Sequence, residues 1–452
     1  MDSKLSTSAY FVLGATLFAL FFGAGNLIFP AQLGQYAGEN LWPAAIGFAI
    51  TGVGLPLMGI LAIGYSGSNH LHDLASRVHP IYGLIFTVML YLTIGPFFAA
   101  PRTGAVAYEI GISPFVGDGN HTIALFIFTL LYFGASLLLS LNPTKVVDRV
   151  GKILSPALIF LLFILLIMAV VNPMGNFGEP QGEYADNAFM TGFKEGYNTM
   201  DALASLVFGI IIINAIQLMG IKSSRGILKA TSKAGIVAVV LLGSIYLGIA
   251  YLGATSTDLF GLFDTGGPVL SGAASHYLGT TGMVLLAILI ILACLTTSIG
   301  LMTAISQYFH RLMPQVSYKT FVTIFTTLTF IIANFGLANI INYSIPVLML
   351  LYPLAIVLMI LAFVSPLFNH ARLVYASTIA VTFLISVIDG LKTFCELFEM
   401  DYFSWMVPII SFYEKVLPFY QDGLGWLLPV VVVMIVTGVI ARVQQANSVQ
   451  TQ

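Results

Sequence analysis

Long apolar segments separated by short polar connections run along the whole chain. Each segment has roughly 20 residues or more, the length that an α-helix needs to cross the hydrocarbon core of a bilayer. The pattern predicts twelve membrane-spanning helices, at residues 9–36, 42–66, 81–110, 121–141, 151–172, 190–219, 232–256, 276–309, 319–338, 341–365, 371–390 and 424–443. The predicted fold class is therefore an all-α polytopic membrane protein.

Lysine and arginine concentrate in alternate connections between these segments. With the N-terminus placed in the cytoplasm, thirteen of the 17 basic residues fall inside, Lys194, Lys392 and Lys415 fall outside, and Arg102 lies within a span. This is the inside-positive bias of membrane proteins. An error in the number of spans would scramble the alternation, so the bias supports twelve spans with both termini cytoplasmic.

The composition agrees with a chain embedded in lipid. Hydrophobic residues make up 58% of the 452 positions and charged residues only 8%, too few to cover the surface of a soluble protein of this length. The net charge of −2 gives no basic surface for nucleic acid. Neither a P-loop, an H-E-x-x-H nor a G-x-S-x-G motif occurs, so neither nucleotide hydrolysis nor an enzymatic reaction is expected. No cofactor is predicted.

The first span contains an interruption near its middle, in the sequence L-F-A-L-F-F-G-A-G-N-L-I-F-P from Leu17 to Pro30. Glycine disfavours helix, and within lipid an unwound backbone persists only where it is buried in protein or lines a cavity. The G-A-G-N sequence at Gly23–Asn26 therefore favours a broken helix that offers free backbone groups to a small ligand. Close packing of two helices through small residues is the alternative at this point.

The order of spans suggests an internal repeat. Five spans precede a long acidic connection and five follow it, so the second block must run with inverted topology, and it carries an S-L-V-F-G sequence at Ser205–Gly209 that predicts a second break. The S-x-x-x-G spacing also suits close packing of helices, which would be the preferred interpretation without the first break. The predicted organisation is a first repeat at 1–172, an extracellular connection at 173–189, a second repeat at 190–365, and two C-terminal helices at 366–452.

Several stretches together resemble the bacterial branched-chain amino acid carrier family. They are G-A-G-N-L-I-F-P at 23–30, P-R-T-G at 101–104, E-G-Y-N-T-M-D-A-L-A-S-L at 195–206 and A-N-F-G-L at 333–337. The family is similar in turn to the LeuT-type fold of five-plus-five inverted repeats with two extra helices. The resemblance implies a cation-coupled symporter for leucine, isoleucine and valine, located in the cell membrane.

The resemblance also implies where the substrate binds. Amides of the first break would hold the substrate carboxylate, which suits the positive end of a half-helix. The second break would receive the ammonium group and the aliphatic side chain. The residues concerned are Gly23, Ala24, Gly25, Asn26, Ser205, Leu206, Phe208 and Gly209. The arginine that this fold usually places just before the F-P pair is absent, so the outer gate is expected to be built otherwise.

The eighth span supplies the implied cation site. The A-C-L-T-T-S sequence resembles the sodium motif of the fold, in which the Ala293 carbonyl and the Thr296 and Thr297 hydroxyls join the carbonyls of Ala19 and Phe22. Neutral oxygen ligands suit a monovalent cation that must also leave. Hydroxyls that bond back to the preceding turn of their own helix are the alternative.

Three charged residues lie in or near the predicted membrane core. Arg102 is a functional candidate because a charge at this depth is costly. Glu109 lies two turns further along the same helix face and is one candidate partner, and Asp201 is the other. The three residues would form either gating or register-fixing ion pairs, and Asp201 is also a candidate carboxylate for proton coupling.

The sequence thus predicts a secondary transporter that imports branched-chain amino acids with a cation, sodium being favoured over the proton. A carrier for other neutral amino acids and a non-transporting amino acid receptor are the alternatives. A receptor usually carries a cytoplasmic output domain, whereas every inside connection here is short. The last two predicted spans favour a scaffold or homo-oligomer role over substrate contact.

Overall fold

A computed structural model describes residues 5–68, 70–117, 119–141, 145–221 and 223–450. All regular structure in these ranges is helical. The α-helices are α1 (Thr7–Phe21), α2 (Gly25–Ala37), α3 (Leu41–Ala49), α4 (Leu55–Ser66), α5 (Leu71–Ala75), α6 (Pro80–Leu92), α7 (Ala99–Gly111), α8 (Ser113–Val116), α9 (His121–Leu141), α10 (Lys145–Val171), α11 (Glu183–Glu195), α12 (Asp201–Leu218), α13 (Ser224–Phe260), α14 (Gly267–Leu312), α15 (Tyr318–Ala333), α16 (Leu337–Val364), α17 (Arg372–Leu397), α18 (Val407–Val416) and α19 (Leu427–Gln450).

Helices occupy every region in which the hydropathy pattern predicts a span. Among the described residues, nine helical segments are long and apolar enough to cross a membrane, and three further apolar helices are shorter. The chain is thus an all-helical, multi-pass membrane protein. The count of twelve spans, the inverted repeat and the cytoplasmic termini stay predictions, and two of the basic residues used for orientation, Lys4 and Lys222, lie outside the described residues.

The first apolar segment is interrupted between α1 and α2. Helix α1 ends at Phe21, Phe22 has an extended backbone with φ −72° and ψ 98°, and α2 begins at Gly25. No side chain caps the start of α2, and of the amides in its first turn that of Leu27 donates to the Ala24 carbonyl oxygen at 3.3 Å. The interruption covers residues 22–24, and Gly25 and Asn26 already belong to the helix that follows.

The second predicted break, at Ser205–Gly209, is wrong. Helix α12 is continuous from Asp201 to Leu218, and the interruption precedes it, in a 3₁₀ turn at Gly196–Thr199 and at Met200, whose φ is +61°. The small residues serve packing instead. A methyl group built at Gly59 of α4 would lie 1.9 Å from the Ser205 hydroxyl, and one at Gly209 would lie 3.5 Å from the Cα of Ile60.

A third interruption separates α6 from α7. The backbone forms a wide π turn at Thr93–Phe97 and leaves helical geometry at Gly95, with φ −88° and ψ −119°, immediately before Pro96. Proline cannot donate the hydrogen bond that would continue a regular helix. The single predicted span at 81–110 is therefore two helices that meet beside Phe98.

Close backbone contacts fix α2 against α13 and the start of α14. A methyl group at Gly34 would lie 1.9 Å from the Ala250 carbonyl oxygen, and one at Gly253 would lie 2.2 Å from the Ala31 carbonyl oxygen. At Gly266, beside α14, the clash would be with the Ile28 carbonyl oxygen, at 1.9 Å. Residues without a Cβ let the backbones of membrane helices approach closely. This seam holds the helix that follows the first break.

Candidate functional site

A small cavity lies where the three helix interruptions meet. It is lined from the first break, from the turn before α12, and from α7, α12 and α14, by residues that include Phe21, Gly23, Ala24, Gly25, Asn26, Ile94, Arg102, Thr199, Met200, Asp201, Phe208, Thr297 and Leu301. Its volume is about 60 Å³. One part of the wall is polar, and the aromatic and aliphatic side chains form an apolar part.

Asn26 connects the first break to the start of α12. Its side-chain oxygen accepts a hydrogen bond of 2.7 Å from the Gly23 amide, and its Nδ2 donates to the Asp201 carboxylate at 2.5 Å and to the Tyr246 hydroxyl. The Tyr246 hydroxyl also donates to Asp201, at 3.1 Å. Asn26 and Asp201 are only 1% and 5% exposed. A buried carboxylate needs such donors, because its desolvation is otherwise uncompensated.

Arg102 closes another side of the cavity. Its guanidinium donates to the Asn198 carbonyl oxygen at 2.5 Å and to the Ser344 hydroxyl at 3.4 Å, and it lies 4.9 Å from the centroid of the Phe29 ring. The side chain is 2% exposed, and its Nε has no hydrogen-bond partner among the described residues. Arg102 thus brings a guanidinium from α7 to the ring of Phe29, which belongs to the F-P pair.

Neither predicted ion pair of Arg102 forms among the described residues. The Glu109 carboxylate accepts a hydrogen bond of 2.6 Å from the Thr265 hydroxyl, and Asp201 is bound by Asn26 and Tyr246. The spacing of seven residues does place Arg102 and Glu109 two turns apart, but the guanidinium donates to the Asn198 carbonyl and the Ser344 hydroxyl instead. The prediction that Glu109 pairs with Arg102 is wrong, and Glu109 is absent from the cavity wall.

Of the five residues proposed to bind a cation, Thr297 lines the cavity and the other four do not. The methyl group of Thr297 would lie 3.7 Å from a Cβ placed at Gly23. The hydroxyls of Thr296 and Thr297 both donate to the Ala293 carbonyl oxygen, at 2.8 and 3.2 Å. Within the described contacts these hydroxyls therefore bond back to their own helix, as the alternative reading of this motif expects. Phe22 is half-buried against Phe18, with ring centroids 4.9 Å apart, whereas Ala19 is exposed.

The residues proposed for the substrate also divide. Gly23, Ala24, Gly25, Asn26 and Phe208 line the cavity. The other three, Ser205, Leu206 and Gly209, are buried outside its wall, where Ser205 and Gly209 pack on α4.

The sequence reasoning missed three polar residues at the site. Tyr246 lies in an apolar segment of α13 with no charged residue nearby to mark it. Asn198 and Thr199 belong to the E-G-Y-N-T-M-D sequence, which carried the family resemblance but was not interpreted as a break. A run of helix-disfavouring residues just before an acidic helix start is the signal that would have located this turn.

The arrangement of helices is similar to that of solved structures whose titles name transporters. The chain is similar to Mhp1, a nucleobase-cation-symport-1 family transporter, in a closed conformation with bromovinylhydantoin bound, with a TM-score of 0.61 and 15% identity over 97% of this chain and 93% of that one. A manganese transporter of Eremococcus coleocola matches with a TM-score of 0.59 and 13% identity, over 98% and 97% of the two chains. At these identities the likeness concerns the fold alone.

Sequence comparison decides the family. A family profile described as "Branched-chain amino acid transport protein" matches residues 6–444. The chain belongs to this family. Its relatives include the branched-chain amino acid permease BraB of Bacillus subtilis, at 48% identity over 96% of this chain and 95% of the relative. The branched-chain amino acid transport system 2 carrier protein of Pseudomonas aeruginosa is 41% identical over 95% of each chain.

Membership of the branched-chain amino acid transport protein family confirms two predictions. The resemblance inferred from the short motifs is correct, and it extends over nearly the whole chain. The relatives are named as permeases and carriers, so the chain is a transport protein and not an enzyme.

Proposed function

We propose that the chain imports leucine, isoleucine or valine across the cell membrane by cation-coupled symport, with both termini in the cytoplasm. The observation that carries the proposal is the cavity between the first break and the start of α12, where Asn26 joins the two interrupted segments. Binding at the junction of broken helices lets a transporter expose one site alternately to either side of the membrane. The family and its named permeases support the substrate class.

The cavity suits the three parts of an aliphatic amino acid. The uncapped start of α2 presents backbone amides and the positive end of a helix dipole to the carboxylate. The Asp201 carboxylate and the backbone before α12 are placed for the ammonium group. The side chain would lie against the apolar wall, which Phe21, Ile94 and Phe208 form in part. Such a wall discriminates poorly between side chains that differ by one methylene group.

Sodium is the proposed coupling ion, held by the carbonyls of Ala19, Phe22 and Ala293 and by the hydroxyls of Thr296 and Thr297. The position of Thr297 beside Gly23 supports this assignment. Each hydroxyl could ligate the ion through a lone pair on its oxygen while its hydrogen stays bonded to the Ala293 carbonyl. Proximity of this site to the substrate carboxylate would couple the two binding events electrostatically.

Proton coupling through Asp201 is the second candidate. The observation that favours it is the burial of this carboxylate at the junction of the interrupted segments, between two donors, Asn26 and Tyr246. An ionisable group inside the membrane is a common proton relay. Protonation would remove the negative charge, and release of the proton would restore it.

The test is uptake of labelled leucine into proteoliposomes that contain the purified protein. We expect accumulation driven by an inward sodium gradient and only weakly affected by an imposed proton gradient. Accumulation that follows the proton gradient without sodium, and that Asp201→Asn abolishes while leucine exchange persists, would assign coupling to Asp201. Absence of accumulation under either gradient, in vesicles in which the protein is folded and inserted, would refute symport.

A further inference from the structure

A second cavity, here called the α11–α17 cavity, is walled by α11, α16, α17 and the segment that precedes α19. Its volume is about 440 Å³, compared with about 60 Å³ for the central cavity. Pockets that enclose small organic ligands have about 300–1,000 Å³. None of the residues proposed above for the substrate or the cation lines this space.

Charged side chains of both signs line the α11–α17 cavity, with carboxylates in excess. Lys194 binds Glu183 at 2.9 Å, and Lys392 lies 3.8 Å from Glu396. Two further carboxylates of the wall, Glu195 and Asp389, form no ion pair within 4.0 Å among the described residues. A cationic group is therefore the ligand component that the wall favours most.

The buried hydroxyl of Tyr420 is a second indication that the cavity binds a polar ligand. Its side chain is 5% exposed and lines the cavity near the Asp389 carboxylate, yet its hydroxyl makes no hydrogen bond of standard geometry among the described residues. A buried hydroxyl without a partner costs free energy that a bound polar ligand recovers. The ring of Tyr420 also lies 5.2 Å from the Lys392 ammonium, which fixes that positive charge at the cavity wall.

The remaining wall contains both polar and apolar side chains: Thr191, Asn198, Thr393 and Gln421 are polar, and Ile345 and Met349 are apolar. Ile345 and Met349 of α16 face the same space as Asp389 and Lys392. No group of three His, Cys, Asp or Glu side chains in the described ranges is placed to hold a metal ion, so a bare divalent cation fits poorly. A small molecule with an ammonium group, a carboxylate and an aliphatic side chain matches all three parts of the wall.

We propose that the α11–α17 cavity is a second binding site for an aliphatic amino acid, distinct from the central one. Asp389 would bind the ammonium group of the ligand, and Lys392 with the Tyr420 hydroxyl would bind its carboxylate. Ile345 and Met349 would contact its aliphatic side chain. This inference rests on the proposed function for the identity of the ligand.

The second site has a structural connection to the first. Asn198 lines the α11–α17 cavity, and its carbonyl oxygen accepts the hydrogen bond from Arg102. The next three residues, Thr199 to Asp201, line the central cavity. The short turn before α12 is thus a wall shared by both cavities, and a ligand in one can alter the position of Arg102 in the other.

Equilibrium binding of labelled leucine to the full chain in lipid nanodiscs tests the proposal. We expect two leucines per chain in the unaltered protein and one in the Asp389→Asn variant. In that variant the affinity of the α11–α17 cavity for leucine should fall at least about tenfold, because a charge-assisted hydrogen bond is lost. Lys392→Gln provides the same test should Asp389→Asn fail to fold. The matched controls are Asp186→Asn and Lys415→Gln, which alter exposed residues away from the cavity and should leave two sites.

The outcomes separate this inference from the transport proposal. One leucine per chain in the unaltered protein, with sodium-driven uptake intact, overturns the second site and leaves symport standing. Two leucines whose affinities ignore both cavity variants likewise overturn it. Absence of both leucine binding and leucine uptake overturns the transport proposal and this inference with it.

Discussion

The guanidinium of Arg102 lies 4.9 Å from the centroid of the Phe29 ring, across the gap between α7 and α2. The same guanidinium donates to the carbonyl oxygen of Asn198, in the turn before α12. One side chain thus contacts α2, which follows the first break, and the turn that forms the break before α12. A planar cation can stack on a ring and donate in its own plane at the same time.

Replacement of Arg102 should therefore impair transport more than it impairs folding into the membrane. We expect Arg102→Gln to lower the initial rate of leucine uptake by roughly 10- to 100-fold, the range for loss of a charged hydrogen bond. Arg102→Lys should rescue little, because an ammonium group lacks the planar fork. Initial rates in proteoliposomes measure both effects. Uptake that Arg102→Lys restores fully would show that charge alone is needed there.

Asn26→Ala should abolish leucine binding at the central site. The substitution removes the acceptor of the Gly23 amide and a donor to Asp201, so a buried carboxylate loses a partner. We expect the protein to lose about 1–3 kcal/mol of stability as well. Leucine binding and thermal unfolding are the measurements. Asn339→Ala is the matched control, since Asn339 is exposed and bonds only to the Phe335 carbonyl of its own helix in the described contacts. Full leucine affinity in Asn26→Ala would contradict this reading of the site.

The two threonines of α14 should contribute unequally to cation dependence. Thr297→Val removes a hydroxyl from the wall of the cavity, whereas Thr296→Val removes one that lies outside it. We expect the sodium concentration for half-maximal uptake to rise about tenfold or more in Thr297→Val, which corresponds to a loss of roughly 1.4 kcal/mol of binding free energy. The rise should be smaller in Thr296→Val. Valine preserves the shape of the side chain, so expression should survive. An unchanged sodium requirement in the double variant would exclude this cation site.

Gly59→Val should reduce stability without altering the affinity of the protein that still folds. A single methyl at Gly59 already meets the Ser205 hydroxyl at 1.9 Å, and overpacking of this kind typically costs about 1–3 kcal/mol. Thermal unfolding in detergent and the KM for leucine are the two measurements. Gly243→Ala is the control, because its added methyl meets nothing within 4 Å among the described residues. A large change in KM for Gly59→Val would restore a binding role to the Ser205 region.

The first break could be predicted from sequence, whereas the second was misplaced by a few residues. Gly23 and Gly25 disfavour helix whatever their surroundings, so G-A-G-N indicated the break directly. Ser205 and Gly209 offered no such certainty, since small residues accompany both unwinding and close packing. The actual turn depends on Met200 at φ +61°, a conformation that no ordinary preference of methionine predicts.

The polar network of the site lay beyond sequence reasoning for a related reason. Tyr246 is 45 positions from Asp201 and 220 from Asn26, and only the packing of α13 behind both brings its hydroxyl to them. The charge of Arg102 marked it as a functional candidate, but its partner is a backbone carbonyl, which every residue possesses. Charge pairing was therefore the wrong guide to its contacts. The apolar segments themselves were recoverable because the bilayer imposes their length.

The glycine seam between α2 and α13 sets which distances in the molecule can change. At Gly34 and Gly253 one backbone lies directly on the other, and α1 reaches α13 in the same manner, with a methyl at Gly14 falling 2.7 Å from the Ala234 carbonyl oxygen. Helices in such contact slide or separate only by breaking the whole interface. Both halves of the first span are therefore packed backbone to backbone on α13, and we expect any relative movement of α2 and α7 to occur at the side-chain contact between Phe29 and Arg102 and not within the seam.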